Sequence, residues 1–206
     1  MEEHEVAMYR RLAREHRGTP AQVGAGSERS QEARFEVILQ VLDAMLGERL
    51  AGMSILDFGC GKGDLARFLD RRGRLDGLRY VGVDGIEENV EDGRRATGGD
   101  FRLLRWDGEG RVVEDEIDLI VFSGAFATTR MDRRIAMVRS LLEQARVGVV
   151  GNFLTWTPTV DDWHGMILMD PEEALRIVDR SRFRVRLRAD YLPHDFTIAA
   201  IRWSFD

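Results

Sequence analysis

The stretch Ser54 to Leu65, SILDFGCGKGDL, limits what this chain can fold into more than any other, because a short apolar run breaks there into glycines at every second position. Ile55, Leu56 and Phe58 read as a buried strand. Gly59, Gly61 and Gly63 let the backbone turn sharply and leave room for something to lie against it. A helix follows, with Leu65, Phe68 and Leu69 on its inner face, and Gly73 to Gly77 ends it.

The unit then repeats. Tyr80 to Val83 is a short strand closing on Asp84 and Gly85, Glu87 to Ala96 a helix, and Phe101 to Leu104 a strand followed by Trp106, Asp107 and Gly108. Ile117 to Phe122 is nearly continuous in apolar residues, as expected of a strand covered on both faces, and it ends in Ser123 and Gly124. The stripe Ile135, Val138, Leu141, Leu142 and Ala145 leads into a further buried strand, Val147 to Val150. Short apolar strands alternating with amphipathic helices predict a parallel, doubly wound α/β sheet.

The two ends of the chain differ from this middle. Glu2 to Arg17 carries a thin amphipathic stripe, Gly18 to Ser30 has no periodicity, and Phe35 to Leu46 is a strong helix capped at Ser27 or Ser30 and ending before Gly47. These residues, 1–50, are expected to form an amino-terminal helical cap on a core of residues 51–206. Near the other end, Asp170-Pro171-Glu172-Glu173 combines an N-cap, a proline at the first helical position and a capping-box glutamate. Phe183, Val185, Leu187 and Ala189 then alternate with arginines, which predicts an edge strand with one charged face. Phe196 to Trp203 follows after a short loop, close enough to return antiparallel.

Composition narrows the functional classes. With 206 residues, 44% of them hydrophobic, one sizeable core is expected. A net charge of −6 is a poor match to nonspecific nucleic-acid binding. The single cysteine, Cys60, can supply neither an internal disulfide nor a Cys-rich metal site. No cationic leader and no apolar run of about 18 residues is visible, so a cytoplasmic protein is expected and no membrane partner.

Ligands of open α/β sheets sit beyond the carboxyl ends of the strands. Four such ends carry polar groups: Asp57 with the glycine turn, Asp84 with Gly85, Asp107 with Gly108, and Ser123 with Gly124. The roles fit a nucleoside, since glycine-turn amides approach a ligand closely and a carboxylate ending the second strand can accept ribose hydroxyls. A dinucleotide fingerprint requires Gly-x-Gly-x-x-Gly, and here its last position is Asp64. A nicotinamide-dependent oxidoreductase therefore lacks its third glycine.

The order and spacing of ILDFGCGKGDL, YVGVDGIEENVEDGRR, FRLLRWDGEG and IDLIVFSGAF resemble the first four motifs of class I S-adenosylmethionine-dependent methyltransferases. The resemblance implies a Rossmann-like seven-stranded sheet of order 3-2-1-4-5-7-6 with the last strand antiparallel. It implies that Gly59, Cys60 and Gly61 surround the methionyl part of S-adenosylmethionine and that Asp84 holds the ribose. Gly85 and Ile86 would flank the adenine, Asp107 and Gly108 meet its amino edge, and Ser123 lie near the methionine amine. Asp57 would order the turn or reach that amine through water. SERSQEARFEVIL is also similar to a cap helix of some small-molecule members, which makes Arg34 a candidate for the cofactor carboxylate, a pairing that suits a guanidinium.

SGAF replaces the Asn/Asp-Pro-Pro-aromatic motif of enzymes that methylate exocyclic amines of bases, and Cys60 sits inside the cofactor turn, so no nucleic-acid partner is expected. Asp161, Asp162 and His164 offer at most a loose metal cluster, and no metal is expected. The acceptor should enter beside Asn152 to Met169, where Phe153, Trp156 and Trp163 can form aromatic walls. His164 is the candidate general base, with Tyr191 and His194 as second choices. The expected activity is methyl transfer to an oxygen or nitrogen of a small molecule. A noncatalytic scaffold of the same fold, and a homodimer, are left open.

Overall fold

A computed structural model of the chain describes residues 3–15, 27–106, 108–158 and 165–205. The expected sheet forms, with strands β1 (Ser54–Phe58), β2 (Arg79–Asp84), β3 (Asp100–Leu103), β4 (Leu119–Ser123), β5 (Gly148–Leu154), β6 (Phe183–Arg188) and β7 (Asp195–Arg202). Their order is β3-β2-β1-β4-β5-β7-β6. The five strands from β3 to β5 run parallel, and β7 lies antiparallel between β5 and β6.

The period of two along each strand divides the core. On one face Leu56, Phe58, Ile120, Phe122 and Val149 pack with Val138 and Leu141 of α5 (Met131–Gln144) and Ile177 of α6 (Pro171–Ile177). On the other, Ile55, Leu119, Val121 and Val150 pack with Leu65 and Phe68 of α3 (Asp64–Arg71) and Ile38 and Leu42 of α2 (Glu28–Leu46). The strong amino-terminal helix thus shares a core with the sheet. Ser27 caps it, its hydroxyl oxygen accepting from the Ser30 amide at 3.1 Å. The weaker helix α1 (Glu3–Glu15) reaches α4 (Glu87–Thr97) through Arg14 and Glu88 at 3.5 Å.

Two strands extend differently from the apolar runs. β5 continues four residues past Val150, through Gly151 and the polar Asn152, because β7 pairs with it as far as Leu154 opposite Asp195. β4 starts only at Leu119, although Ile117 is buried. The arginine face of the edge strand β6 is held locally, Arg182 by Glu143 at 2.6 Å and Arg188 by Asp190 at 2.6 Å. No helix among the described residues is long and apolar enough to cross a membrane.

Because β7 runs against the parallel strands, its first residue lies at the edge where they end. Asp195 opposite Leu154 therefore joins the same rim as Asp57, Asp84 and Ser123.

Candidate functional site

The glycine turn is sewn to the neighbouring strand. The amides of Gly59 and Cys60 both donate to the Val83 carbonyl, at 2.8 and 3.0 Å, and the Gly61 amide donates to Asp84 Oδ2 at 2.9 Å. All three glycines have positive φ, 74° at Gly59, 53° at Gly61 and 81° at Gly63, a region that side chains with a Cβ avoid. Space adds to the requirement. A Cβ on Gly59 would lie 2.6 Å from that of Ala125 in the loop after β4, and one on Gly63 would lie 2.8 Å from the Phe101 ring. At these two positions close packing of elements, as well as the turn, demands glycine.

Asp84 reaches the rim with donors already in place. Its Oδ2 accepts from Gly61, and its Oδ1 from the Ile86 amide at 2.9 Å and from Asn89 at 3.3 Å. A carboxylate offers about four lone-pair positions, so roughly one remains for a ribose hydroxyl. Burial raises its pKa and these bonds oppose the rise. Asp57, at 2% exposure, is pushed up to about 7, chiefly by burial, with Asp84 and Asp64 adding and the hydrogen bond from the Tyr80 hydroxyl opposing. Burial likewise pushes the Cys60 thiol up, which leaves it a poor nucleophile.

One cavity of about 320 Å³ runs along the carboxyl rim of the sheet. Asp57, Gly59, Cys60 and Gly61 line it from β1 and the turn, Asp84, Gly85 and Ile86 from β2, and Ser123 from β4. Arg34 of α2 lines it as well. Gly108 stands outside the lining, with its Cβ position 3.5 Å from Met137. From beyond β3 the lining residues are Leu104 and Trp106. Asp107 and His164, together with Asp161, Asp162 and Trp163, lie outside the described residues. Trp156 is 68% exposed and forms no wall of the cavity, whose aromatic lining includes Phe35, Phe58, Trp106, Phe126 and Phe153.

Arg34 carries a partner that the sequence reading lacks. Its Nε and Nη2 grip Asp195, with contacts of 2.9 to 3.1 Å, and Asp195 is almost wholly buried. Asn152 donates to Asp195 at 3.3 Å while its own oxygen accepts from the Gly124 amide at 3.1 Å, so α2, β5 and β7 meet at one carboxylate and Asn152 ties it to the loop after β4. His194 lies beside it, Nε2 3.4 Å from Asp195 Oδ2, and also lines the cavity. The signal for Asp195 was its place at the start of a reversed strand. Arg134, also in the lining and 1% exposed, was missed as well, although it stands one turn before Val138 on the buried stripe of α5.

Several solved structures share this architecture at low identity. Magnesium protoporphyrin IX methyltransferase from Synechocystis PCC 6803, with bound SAH, superposes with a TM-score of 0.63 at 14% identity, over 82% of this chain and 83% of that one. A TehB-like SAM-dependent methyltransferase from Corynebacterium glutamicum gives 0.61 at 17% identity, over 95% and 98%. The pyocyanin biosynthetic protein PhzM gives 0.65 at 19%, over 96% of this chain and 61% of that one. A search of curated protein sequences finds none that matches. The profile described as a methyltransferase domain matches residues 30–149, from the first turn of α2 to the start of β5, which is more than half of the chain, and the chain belongs to that methyltransferase family.

Proposed function

We propose that this chain transfers a methyl group from S-adenosylmethionine to an oxygen or nitrogen atom of a small molecule. S-adenosylmethionine is the methyl donor. The observation that supports the finer reading is the make-up of the cavity along the carboxyl rim. Its nucleoside-type groups at the ends of β1 and β2 run on into apolar walls from Phe126, Phe153, Leu154 and Met166, as a small organic acceptor needs.

The residues present fit the cofactor. Asp57 is a buried acid whose bond from Tyr80 leaves room for an ammonium, Arg34 keeps an open edge for a carboxylate, and Asp84 keeps a lone-pair position for a hydroxyl. Bound there, the sulfonium supplies a methyl group already activated toward nucleophiles. Asp57 and Arg34 would orient the amino-acid end, and Asp84, Gly85 and Ile86 the nucleoside. The loops after β4 and β5, joined by the Ile167 amide donating to Ala127 at 2.7 Å, would exclude water and hold the acceptor in line, the main contribution such a transfer requires. His194 is the described histidine on the cavity wall and would take a proton from a hydroxyl or ammonium acceptor.

The test has two arms. Thermal unfolding with S-adenosylhomocysteine should show stabilisation that grows with ligand concentration, and NAD should give none. Labelled S-adenosylmethionine with a panel of phenols, alcohols and amines should then yield methylated product. Absence of S-adenosylhomocysteine binding would overturn the proposal; binding without turnover on every acceptor would point to a noncatalytic scaffold.

A further inference from the structure

Arg134 is a buried charge to which the methyl-transfer reading gives no task. Helix α5 carries it inward with its apolar stripe, one turn before Val138 and two before Leu141. Its Nη2 donates to three backbone carbonyls: Phe126 at 2.7 Å and Thr129 at 3.2 Å in the loop after β4, and Ile167 at 2.7 Å in the loop after β5. Its Nε is buried and makes no hydrogen bond. No carboxylate is paired with it among the described residues, and loss of water brings its pKa down to about 10, which still leaves a cation at neutral pH.

The three carbonyls explain why the loops stay together but not why the group is charged. Burying an ion without a counter-ion is costly even after the surroundings relax. The four described acids of the same lining are engaged elsewhere: Asp195 by Arg34, Asp64 by Arg67, Asp57 by the Tyr80 hydroxyl, and Asp84 by three donors. Arg134 and the residues it holds, Phe126, Thr129 and Ile167, all face the cavity, so its buried charge stands beside the apolar walls of Phe126, Phe153 and Ile167, with the more exposed Arg133 next to it in the lining.

We infer that the methyl acceptor is an organic acid whose carboxylate is drawn to Arg134 while its carbon skeleton lies against Phe126, Phe153 and Ile167. The inference rests on the methyl-transfer reading for the word acceptor, but the anion site stands on its own geometry. A carboxylate suits the site better than a phosphate, because the saturation of Nη2 by carbonyls leaves few donors for a dianion.

The experiment uses the full chain saturated with S-adenosylhomocysteine and titrates it calorimetrically with matched pairs: benzoate and benzamide, phenylacetate and phenylacetamide, hexanoate and hexanamide. At least one acid should bind about tenfold or more tightly than its amide, the size expected for a charge-assisted contact. The preference should survive about 0.5 M salt, which screens the exposed arginines and not a buried one. Arg134→Lys should keep the preference and Arg134→Gln should abolish it. Three results each overturn the inference: no pair favouring the acid, a preference that salt removes, or one that persists in Arg134→Gln. If Arg134→Gln does not fold, the acid and amide comparison in the unaltered protein decides. If S-adenosylhomocysteine fails to bind, the cofactor reading falls, and the same titration of the ligand-free chain still decides the anion site.

Discussion

A guanidinium offers a carboxylate two edges, the side formed by Nε and Nη2 and the end formed by Nη1 and Nη2, and Arg34 has committed its side to Asp195. Both Nη1 hydrogens and one on Nη2 remain for a second carboxylate. Asp195 therefore fixes the direction in which the open end points, and it is a positioning residue for cofactor binding. Asp195→Asn keeps the shape and removes the charge that orients Arg34. Its affinity for S-adenosylhomocysteine should fall roughly tenfold or more, while that for 5′-methylthioadenosine, which lacks the amino-acid end, should stay within about twofold. Equal losses for both ligands, measured by calorimetry, would show a general disturbance and remove the role. Asp57 and Asp84 could be read from the sequence because each lies at the carboxyl end of a strand that runs toward the site. Asp195 escapes that pattern, because it opens its strand and comes to the rim only through the reversal of β7.

Among the elements, the junction of β2, β3 and α4 depends on one ring. Cβ positions on Gly63, Gly82 and Gly93 would lie 2.8, 2.7 and 2.6 Å from Phe101, so three glycines form the slot that its side chain fills. The slot holds the glycine turn against the end of β2, where Gly61 and Asp84 meet. On propensity alone, Gly93→Ala in α4 should gain up to about 1 kcal/mol. Overpacking of Phe101 opposes this with about 1–3 kcal/mol, so net destabilisation is expected as a lower urea midpoint at unchanged slope. Adding Phe101→Leu should recover part of the loss, since the two sites share the contact. A stabilised single variant would mean that the ring moves aside freely. The sequence shows the glycines as turn, strand and helix residues, while the ring that makes three of them necessary belongs to another element. For the same reason the run to Val150 understates β5, whose length is set by pairing with β7 rather than by its own apolar residues.

At the scale of the whole molecule, the buried acids couple the site to folding. Asp57, raised to about 7, and Asp84, also raised, hold protons in the folded state that they lose in the unfolded chain. Between the unfolded carboxylate value of about 4 and the folded value, the folded state binds more protons, so stability falls as pH rises through that interval and levels off above it. The exposed acids paired with arginines, such as Asp115, Asp190 and Glu143, have lowered pKa values and act in the opposite sense, but only at pH below about 4, as each is protonated. Ligand-free protein should therefore be more stable to urea at pH 5 than at pH 8. An ammonium placed beside Asp57 favours its ionised form, so binding S-adenosylhomocysteine should release protons near pH 7 and tighten as pH rises from about 6 to about 8. Calorimetry in buffers of different ionisation enthalpy measures that release directly, and Asp57→Asn should flatten both the proton release and the pH dependence of affinity. Binding that takes up protons, or is unchanged by the substitution, would place the amine away from Asp57 and leave that acid to order the glycine turn through Tyr80.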